Sequence, residues 1–239
     1  MTRILTVDDI HTYYGQSHVL YGVSMAIDEG ESVALLGRNG AGKTTTLRSI
    51  VGMTPPREGR VEFRGERIDG LEPYEISRRG IGIVPEERRV FPELTVADNL
   101  EVVMKRDSDW SHERAYDLFP ALREHSHKLA GQLSGGQQQM LTIARALVTD
   151  PDLLLLDEPS EGLAPNIVAD LKELLADVID TGITVLLTEQ NTKFAFDLAE
   201  RTYVLSRGQV AWEGSIAELR EREDVIGKYL SVAEVGVDD

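Results

Sequence analysis

The stretch Gly37-Arg38-Asn39-Gly40-Ala41-Gly42-Lys43-Thr44 decides the fold, because it matches the pattern GxxxxGK[ST] at every fixed position. It follows the apolar segment 32–36, a predicted strand, and it precedes a predicted helix over 45–51. Glycines in such a loop let successive backbone N–H groups point inward at phosphate oxygens, and the helix start adds a partial positive charge. Because the stretch lies between a strand and a helix, a chance glycine-rich turn is the weaker interpretation. The stretch therefore predicts a phosphate-binding loop.

The last two residues of this loop have specific expected ligands. Lys43 is expected to reach the β- and γ-phosphates of a nucleotide, and the Thr44 hydroxyl is expected to take one coordination position of Mg²⁺. The sequence therefore predicts ATP and Mg²⁺ as ligands. We call the loop and the residue after it the phosphate cradle; its residues predicted to contact ATP are Gly37, Arg38, Asn39, Gly40, Ala41, Gly42, Lys43, Thr44 and Thr45.

Two acidic residues end the most apolar strand of the chain. The run 153–156 consists of four leucines, and Asp157 and Glu158 follow it directly. A core strand can end in a surface acid without any function, but together with a phosphate cradle the pair is the expected arrangement. We expect Asp157 to hold Mg²⁺, directly or through water, and Glu158 to polarise the attacking water. Adjacent strand residues point to opposite sides, which supports two separate roles.

The remaining pattern predicts an α/β fold with a mainly parallel sheet. Apolar strands alternate with amphipathic helices after residue 150, and this order gives a parallel sheet covered on both faces. The first third of the chain reads as strands with turns, which predicts an antiparallel β part. We expect one domain over 1–239, with a core of 1–85 and 151–239 and an inserted helical subdomain over 86–150. The predicted strands are 3–10, 19–27, 32–36, 59–63, 81–84, 153–156, 183–187, 203–205 and 209–212, and the predicted helices after the cradle are 96–104, 113–119, 134–148, 166–179, 192–198 and a short one from 224.

Composition and charge restrict the class of protein. The 239 residues carry a formal net charge of −16, which argues against a nucleic-acid partner or an anionic lipid surface. The longest apolar runs are strand-sized, well short of the ~20 residues that span a bilayer. The segment 1–10 has no signal-peptide core, so we expect a cytoplasmic protein. The absence of cysteine and of an HExxH pair disfavours a zinc site.

A second glycine-containing stretch, Leu133-Ser134-Gly135-Gly136-Gln137, directly precedes a predicted helix for which Ser134 is a good N-cap. LSGGQ placed ahead of an acid-tipped strand resembles the signature motif of ABC ATPases, and the resemblance covers 14–214. The resemblance implies a P-loop ATPase of the ABC type in which two subunits pack head to tail around ATP. It also implies that Ser134, Gly135, Gly136 and Gln137 belong to a site for the ATP bound by the partner subunit.

Other positions are assigned through the same resemblance. Tyr14 aligns with the aromatic residue that stacks on adenine, with Tyr13 as the alternative. Glu86 stands where the family usually has the glutamine of the Q-loop, Gln190 stands where the switch histidine is expected, and Ala164 replaces the usual aspartate of the D-loop. Gln190 can hydrogen-bond a γ-phosphate but cannot carry the charge of a protonated imidazole, so we expect slower hydrolysis here than at the partner's cradle. The predicted catalytic residues are Lys43, Glu158 and Gln190.

The departures from the family pattern are also similar to a particular kind of ABC ATPase. The segments PExRRVFPxLTV, LSGGQQQML, DEPSxGLAP and TEQN resemble one of the two ATPase subunits of high-affinity branched-chain amino-acid uptake systems. This resemblance implies a heterodimer with a second ATPase subunit, a homodimer being the alternative. It also implies integral membrane permease subunits, an indirect link to an extracytoplasmic solute-binding protein, and a peripheral position on the cytoplasmic face of the membrane.

Three other functions remain open at this point. The ATPase of a urea or amide importer shares YYGQSHVL and LSGGQQQ with this chain. A soluble ABC ATPase acting in translation or DNA repair usually carries tandem ATPase domains or a long coiled-coil insertion, and the sequence contains neither. A small-molecule kinase also uses a phosphate cradle, but it has no need of LSGGQ.

Overall fold

The structure is a computed structural model that describes residues 2–87, 89–104 and 110–231. Within these residues the strands form a four-stranded antiparallel sheet and a six-stranded sheet. The antiparallel sheet has the order β2-β1-β4-β5, and the larger sheet has the order β10-β9-β3-β8-β7-β6. The strands are β1 (Arg3–Tyr14), β2 (Ser17–Asp28), β3 (Ser32–Leu36), β4 (Glu58–Phe63), β5 (Glu66–Arg67), β6 (Ile81–Val84), β7 (Leu153–Asp157), β8 (Thr184–Glu189), β9 (Arg201–Ser206) and β10 (Gln209–Ser215).

The larger sheet is buried on both faces, because alternate side chains of its strands enter two different hydrophobic clusters. On β7, Leu153 and Leu155 pack toward the antiparallel sheet, whereas Leu154 and Leu156 pack toward helices on the other side. A strand buried on both faces has to be apolar throughout, which explains the run of four leucines. All described pairs in this sheet are parallel except the edge pair of β9 with β10. The carboxyl ends of β3, β7 and β8 therefore meet at one edge, where the predicted site lies.

Helices cover the larger sheet and connect its strands. No helix in the described ranges is both long enough and apolar enough to cross a membrane. A 3₁₀ turn over Ala130–Gln132 precedes the signature helix, and a π-helical turn over Ile226–Leu230 ends the described chain. The helices are α1 (Lys43–Ile50), α2 (Pro73–Arg78), α3 (Val96–Glu101), α4 (His112–Leu118), α5 (Pro120–Glu124), α6 (Gly135–Leu147), α7 (Pro165–Asp180), α8 (Thr192–Leu198), α9 (Ile216–Arg220) and α10 (Glu223–Val225).

The predicted fold class is confirmed, with differences at the ends of individual elements, and the sequence pattern did not predict β5, α2, α5 or α9. Strand β1 runs four residues beyond the predicted 3–10, because it continues to pair with β2 as far as Tyr14. Helix α1 begins at Lys43, two residues early, because Gly42 takes a left-handed conformation at its N-cap. Helix α3 ends at Glu101, three residues before the predicted end. The predicted tail after the C-terminal helix falls largely in 232–239, outside the described residues.

The predicted division into a core and a helical subdomain stays a prediction. Helices α3 to α6 fall within the predicted subdomain 86–150. Their apolar side chains, such as Leu100, Leu122 and Leu141, belong to the same hydrophobic cluster as Leu154 and Leu156 of β7. The helices are therefore packed on the sheet through a continuous apolar core.

Candidate nucleotide-binding site

The phosphate cradle connects β3 to α1 through a turn that requires glycine. Gly40 and Gly42 have φ angles of 76° and 111°, in the region that side-chain-bearing residues rarely adopt. A Cβ atom on Gly42 would lie 2.7 Å from Leu20 Cδ2, so the position also lacks space for a larger residue. Among the described residues, no side chain caps the start of α1. Its first N–H groups are therefore available to an anion, to which the helix start also offers a partial positive charge.

Lys43 is buried and held across the cradle by its own chain. Its ammonium nitrogen Nζ donates to Gly37 O at 2.8 Å and to Arg38 O at 3.2 Å, and it forms an ion pair with Glu158 Oε1 at 3.0 Å. A cavity of about 150 Å³ lies beside it and is lined by Val19, Gly40, Gly42, Lys43, Thr44, Thr45 and Glu158. The predicted phosphate lysine therefore faces a space bounded by cradle residues and the predicted base.

Asp157 and Thr44 are brought together by a short hydrogen-bond network. The Thr44 and Thr188 hydroxyls both donate to Asp157 Oδ1, at 3.1 and 2.8 Å. Burial raises the pKa of the Asp157 carboxyl and the negative charge of Glu158 adds to this, whereas the two threonine hydrogen bonds oppose it. A hydroxyl and a carboxylate are hard oxygen donors of the kind that Mg²⁺ prefers. The pair fits a magnesium ion, whose charge would offset the cost of burying Asp157.

Glu158 lies beyond the end of β7, so the strand argument that separated its role from that of Asp157 was wrong. Its φ angle is 46°, in the left-handed region that is uncommon for a residue with a side chain. Its N–H bonds to Thr188 O at 3.1 Å and Thr188 Oγ1 at 3.0 Å, which holds this conformation against β8. The two carboxylates are directed apart by a strained turn instead of by strand alternation.

The carboxyl group of Glu158 has two partners, Lys43 and Glu161. Burial acts against its charge, but the hydrogen bond with Glu161 and the Lys43 ammonium outweigh it, so the pKa of Glu158 lies below its ordinary value. The same hydrogen bond, with burial and the Glu158 charge, raises the pKa of Glu161 to about 7. The pair therefore favours an ionised Glu158 that accepts a hydrogen bond from a protonated Glu161.

Two more predicted residues lie on loops that leave the same edge of the sheet. Glu86 follows β6, and its pKa is raised by partial burial and by the nearby charges of Glu158 and Asp157. Gln190 directly follows β8 and is half-buried. Glu86 therefore lies close enough to Asp157 and Glu158 for their negative charges to raise its pKa.

Tyr14 ends β1 on the cradle side of the molecule. Burial opposes ionisation of its phenol, but hydrogen bonds with Thr45, Thr54 and Arg48 outweigh it and lower its pKa. The side chain stays 41% exposed, which leaves ring surface for an aromatic ligand. The alternative, Tyr13, is engaged by its own chain, because its ring stacks on His18 with a centroid distance of 4.1 Å and lies 4.4 Å from the Arg57 guanidinium. This geometry favours Tyr14 over Tyr13.

The signature residues lie away from the cradle cavity at the start of α6. Ser134 is the N-cap: its Oγ accepts from Gln137 N at 3.3 Å, and Gln137 Oε1 accepts from Ser134 N at 3.0 Å. Gly136 is packed closely, since a Cβ atom there would lie 2.5 Å from Ile167 Cγ2. Among the described residues that line the cradle cavity, none belongs to the signature. The structure thus brings the cradle and the carboxylates together but leaves the signature apart from them.

Sequence reasoning missed three residues that contact this site. Thr188 bridges Asp157 and Glu158, Arg48 hydrogen-bonds Tyr14 and places its charge near Asp157 and Glu86, and Glu161 shares a proton with Glu158. Glu161 and Thr188 stand inside stretches that the sequence had already singled out, DEPSEGLAP and TEQN. Arg48 carries no comparable signal, since an arginine in the last turn of a helix is common on electrostatic grounds alone.

The fold and the cradle together define a P-loop nucleotide-binding protein. A family model described as "ABC transporter" matches residues 20–161, and the chain therefore belongs to this family as an ATP-hydrolysing, ATP-binding domain. The predicted ABC type of the fold is confirmed. The chain is 42% identical to the high-affinity branched-chain amino acid transport ATP-binding protein BraG of Pseudomonas aeruginosa, over 95% of this chain and 99% of that protein.

Two further comparisons extend this result. The chain is 36% identical to the lipopolysaccharide export system ATP-binding protein LptB of Escherichia coli K12, over 95% of this chain and 96% of LptB. It is also similar to a solved dimeric post-hydrolysis state of an ATP-binding cassette bound to ADP and Pi. That match has a TM-score of 0.78 and 28% identity and covers 89% of this chain and 99% of the other.

Proposed function

We propose that this chain is the ATPase subunit of an ABC importer for branched-chain amino acids, acting as a dimer on membrane-embedded permease subunits. The observation that carries the ATPase part is the ion pair of Lys43 with Glu158, at 3.0 Å, over the cradle cavity. The cargo is supported by the 42% identity to BraG and by the TEQN and GLAP stretches. The 36% identity to LptB supports lipopolysaccharide export as the second candidate.

ATP binding would exchange the partners of Lys43. In the structure, its ammonium group is shared among two backbone carbonyls and Glu158. Phosphate oxygens entering the cradle would attract Lys43 and leave Glu158 without its cation. The freed carboxylate, with its pKa no longer lowered by Lys43, becomes a better acceptor for a proton of the attacking water. Thr44 and Asp157 would hold Mg²⁺, which would neutralise charge on the phosphates.

Tyr14, Glu86 and Gln190 would complete the contacts made by this chain. The exposed ring of Tyr14 would stack on adenine, a contact worth ~1 to 3 kcal/mol for stacked bases in general. Gln190 would donate an amide hydrogen bond to the γ-phosphate but would supply no charge. Hydrolysis at this cradle would therefore be slower than at a partner cradle that has a histidine there. Glu86, on the loop after β6, would lie near the γ-phosphate as well.

The signature residues would serve ATP held by the partner subunit. Because the Ser134 hydroxyl oxygen accepts from Gln137 N, its own hydrogen stays free to donate to a γ-phosphate. Within one chain the signature does not reach the cradle cavity. A related cassette is known as a dimer with ADP and Pi, which supports a head-to-tail arrangement for this chain, with a second ATPase subunit or with another copy.

The contact surface for the permease subunits would lie beside the loop after β6. A cavity of about 380 Å³ is lined by residues of α2, β6 and α6, such as Tyr74, and by Met53 and Pro85 from the segments that follow α1 and β6. Met53 is 50% and Tyr74 59% exposed, and Phe91 nearby in the chain is also exposed. Exposed apolar side chains of this size favour an interaction surface. Bound there, the chain would sit peripherally on the cytoplasmic face, with the solute-binding protein on the opposite side.

Reconstitution with co-purified membrane subunits tests the proposal. The tagged chain is purified in mild detergent, its membrane partners are identified by mass spectrometry, and the complex is placed in vesicles with the matching solute-binding protein. We expect ATP-dependent accumulation of leucine, isoleucine or valine, which Lys43→Ala abolishes. Uptake of urea instead, or extraction of lipopolysaccharide, would replace the cargo assignment. A chain that binds no membrane subunit would instead support the soluble ABC ATPase.

A further inference from the structure

Two loops carry the residues proposed to act on the γ-phosphate, and they leave neighbouring parallel strands. The loop after β7 begins with Glu158 and continues to Ala164, and the loop after β8 consists of Gln190 and Asn191. Strand pairing ends with Asp157 opposite Thr188, so the regular ladder of these two strands does not extend into the loops. The bonds from Glu158 N to Thr188 hold only the first residue of the loop after β7, so the position of the rest of that loop relative to the second loop needs another contact.

Glu189 makes that contact, and neither the ATPase mechanism nor the comparisons assign it a role. It ends β8, is only 2% exposed, and lies below the two loops. Its Oε1 accepts from Ser160 N at 3.1 Å, and its Oε2 accepts from Asn191 N at 3.2 Å. The Ser160 hydroxyl is also hydrogen-bonded to this carboxyl group. A single buried side chain thus binds backbone from both loops.

Burying the Glu189 carboxylate costs free energy, and this cost indicates that the position specifically requires a carboxylate. Burial raises the pKa of Glu189, and the bonds from Ser160 and Asn191 oppose that rise. In the described ranges, no lysine, arginine or histidine lies within ion-pair distance of Glu189. A buried carboxylate with no cation is expensive compared with an apolar side chain of similar size. An ionised carboxylate, however, accepts on both oxygens, which an amide side chain cannot do.

We propose that Glu189 is a positioning residue for ATP hydrolysis, holding the Ser160 and Asn191 amides so that Glu158 and Gln190 keep a fixed separation across the γ-phosphate. The left-handed conformation of Glu158 is one consequence, because the chain is anchored to Thr188 at Glu158 and to Glu189 two residues later. The inference rests on the roles proposed above for Glu158 and Gln190. It adds to them a residue that is buried and is not among the described residues lining the cradle cavity.

The test compares Glu189→Gln with Glu31→Gln in the complete complex. Glu31 is the control, because its largely buried carboxylate also accepts from a backbone amide, Asp28 N at 3.0 Å, although it is paired with Arg201 at 2.9 Å, and because it lies before β3 at the opposite edge of the sheet. In Glu189→Gln, one amide N–H would be opposed by the new NH₂ group. We expect kcat to fall by at least ~10-fold, since displacement of reacting groups by about 1 Å can cost up to ~100-fold. KM for ATP and the binding of ATP by the free chain should stay within about twofold, because the cradle is intact.

A second variant keeps the test decisive if Glu189→Gln does not fold. Ser160→Ala removes the hydroxyl bond to Glu189 and keeps the amide bond, so we expect a smaller kcat loss of about two- to fivefold with unchanged KM. The proposal is overturned if every one of these two variants that folds retains full kcat, or if Glu31→Gln loses as much kcat as Glu189→Gln.

The control for the underlying mechanism is Glu158→Gln. If that variant keeps normal turnover, the role proposed for Glu158 fails whatever Glu189 does. If it loses turnover while Glu189→Gln behaves like Glu31→Gln, only the positioning role fails.

Discussion

The phosphate cradle and the signature turn are both glycine-containing helix starts, but they differ in how the helix-start amides are satisfied. At the cradle, α1 begins after Gly42, and within the described part of the chain no side chain caps its start. At the signature, Ser134 and Gln137 each accept a hydrogen bond from the other's amide. The cradle therefore leaves its amides for a ligand, whereas the signature turn has already used two of its own.

Under the proposed function, this difference means that one chain contains an unequal pair of half-sites. The cradle has a cation, open amides and carboxylates assembled around a cavity, and we expect it to hold phosphate alone. The signature offers a serine hydroxyl hydrogen and glycine backbone, which we expect to suffice only for an ATP already held elsewhere. Variants of the cradle should therefore affect binding and turnover in the single chain, whereas variants of the signature should affect only the assembled dimer.

The largest effect is expected for Lys43→Ala. The change removes the one cation that faces the cradle cavity among its described lining residues and leaves Glu158 without its partner. Turnover should fall by about 1,000-fold or to background, since a single preorganised group on developing charge is worth ~100- to 1,000-fold and Lys43 also binds the ground state. Steady-state phosphate release and ATP titration measure both losses.

The control for Lys43→Ala is Lys172→Ala, which removes a lysine paired with Asp197 on the surface. It should leave binding and turnover unchanged. If the free chain bound ATP with full affinity after Lys43→Ala, this result would contradict the claim that the cradle of a single chain binds ATP through Lys43.

The next effect is expected for Glu158→Gln, which should separate binding from hydrolysis. Loss of the base should reduce turnover by about 100-fold or more, while the cradle and signature remain able to grip ATP. The variant should accumulate as an ATP-loaded dimer, detectable by size-exclusion chromatography with Mg²⁺ and ATP. Buried Lys43 would also lose its counter-charge in the nucleotide-free chain, so the melting temperature without ATP should drop. Undiminished hydrolysis would contradict the role given to Glu158.

A smaller effect, confined to the dimer, is expected for Ser134→Ala. Loss of a hydrogen bond to charged phosphate should cost ~1.5 kcal/mol or more, or about a tenfold reduction in turnover and in ATP-dependent dimer formation. Affinity of the isolated chain for ATP should not change. Ser215→Ala is the matched control, because Ser215 and Glu218 form the same reciprocal cap at 2.7 and 3.1 Å.

Both serine variants should lose about 1 kcal/mol of stability from the missing cap. Only Ser134→Ala should lose dimer and turnover. Equal activity losses in the two variants would mean that the signature serine acts through helix stability alone, and the comparison of half-sites would then have no functional content.

The two half-sites were also unequally accessible to prediction. The strand–loop–helix context of the cradle could be predicted, because its turn, its lysine and its hydroxyl lie within eight consecutive residues whose backbone demands glycine. Thr188 and Glu189 could not, because they reach Glu158 and Ser160 across about thirty residues of chain and no local pattern marks such a contact. The turn at Glu158 was missed for a similar reason, since its left-handed conformation is imposed by β8 and not by its own residue type. The partner of the signature turn lies outside the chain altogether.

The smallest expected effect is a pH dependence of stability that arises from the carboxyl pair of Glu158 and Glu161 beside the cradle. The pKa of Glu161 is raised from 4.5 to about 7 in the folded chain by its bond with Glu158, so the folded chain holds more protons than the unfolded chain between these values. The free energy of unfolding therefore falls as pH rises through this window, and this contribution is lost above pH 7.

Glu161→Gln keeps a hydrogen-bond donor at every pH. Its melting temperature should therefore change less than that of the natural chain between pH 6 and pH 8. Glu173→Gln, the same charge change at an exposed position of α7, should leave the natural pH dependence in place. Identical pH profiles for the natural chain and Glu161→Gln would mean that the hydrogen bond between Glu161 and Glu158 does not contribute to stability. The ionised Glu158 would then be stabilised by its ion pair with Lys43 alone.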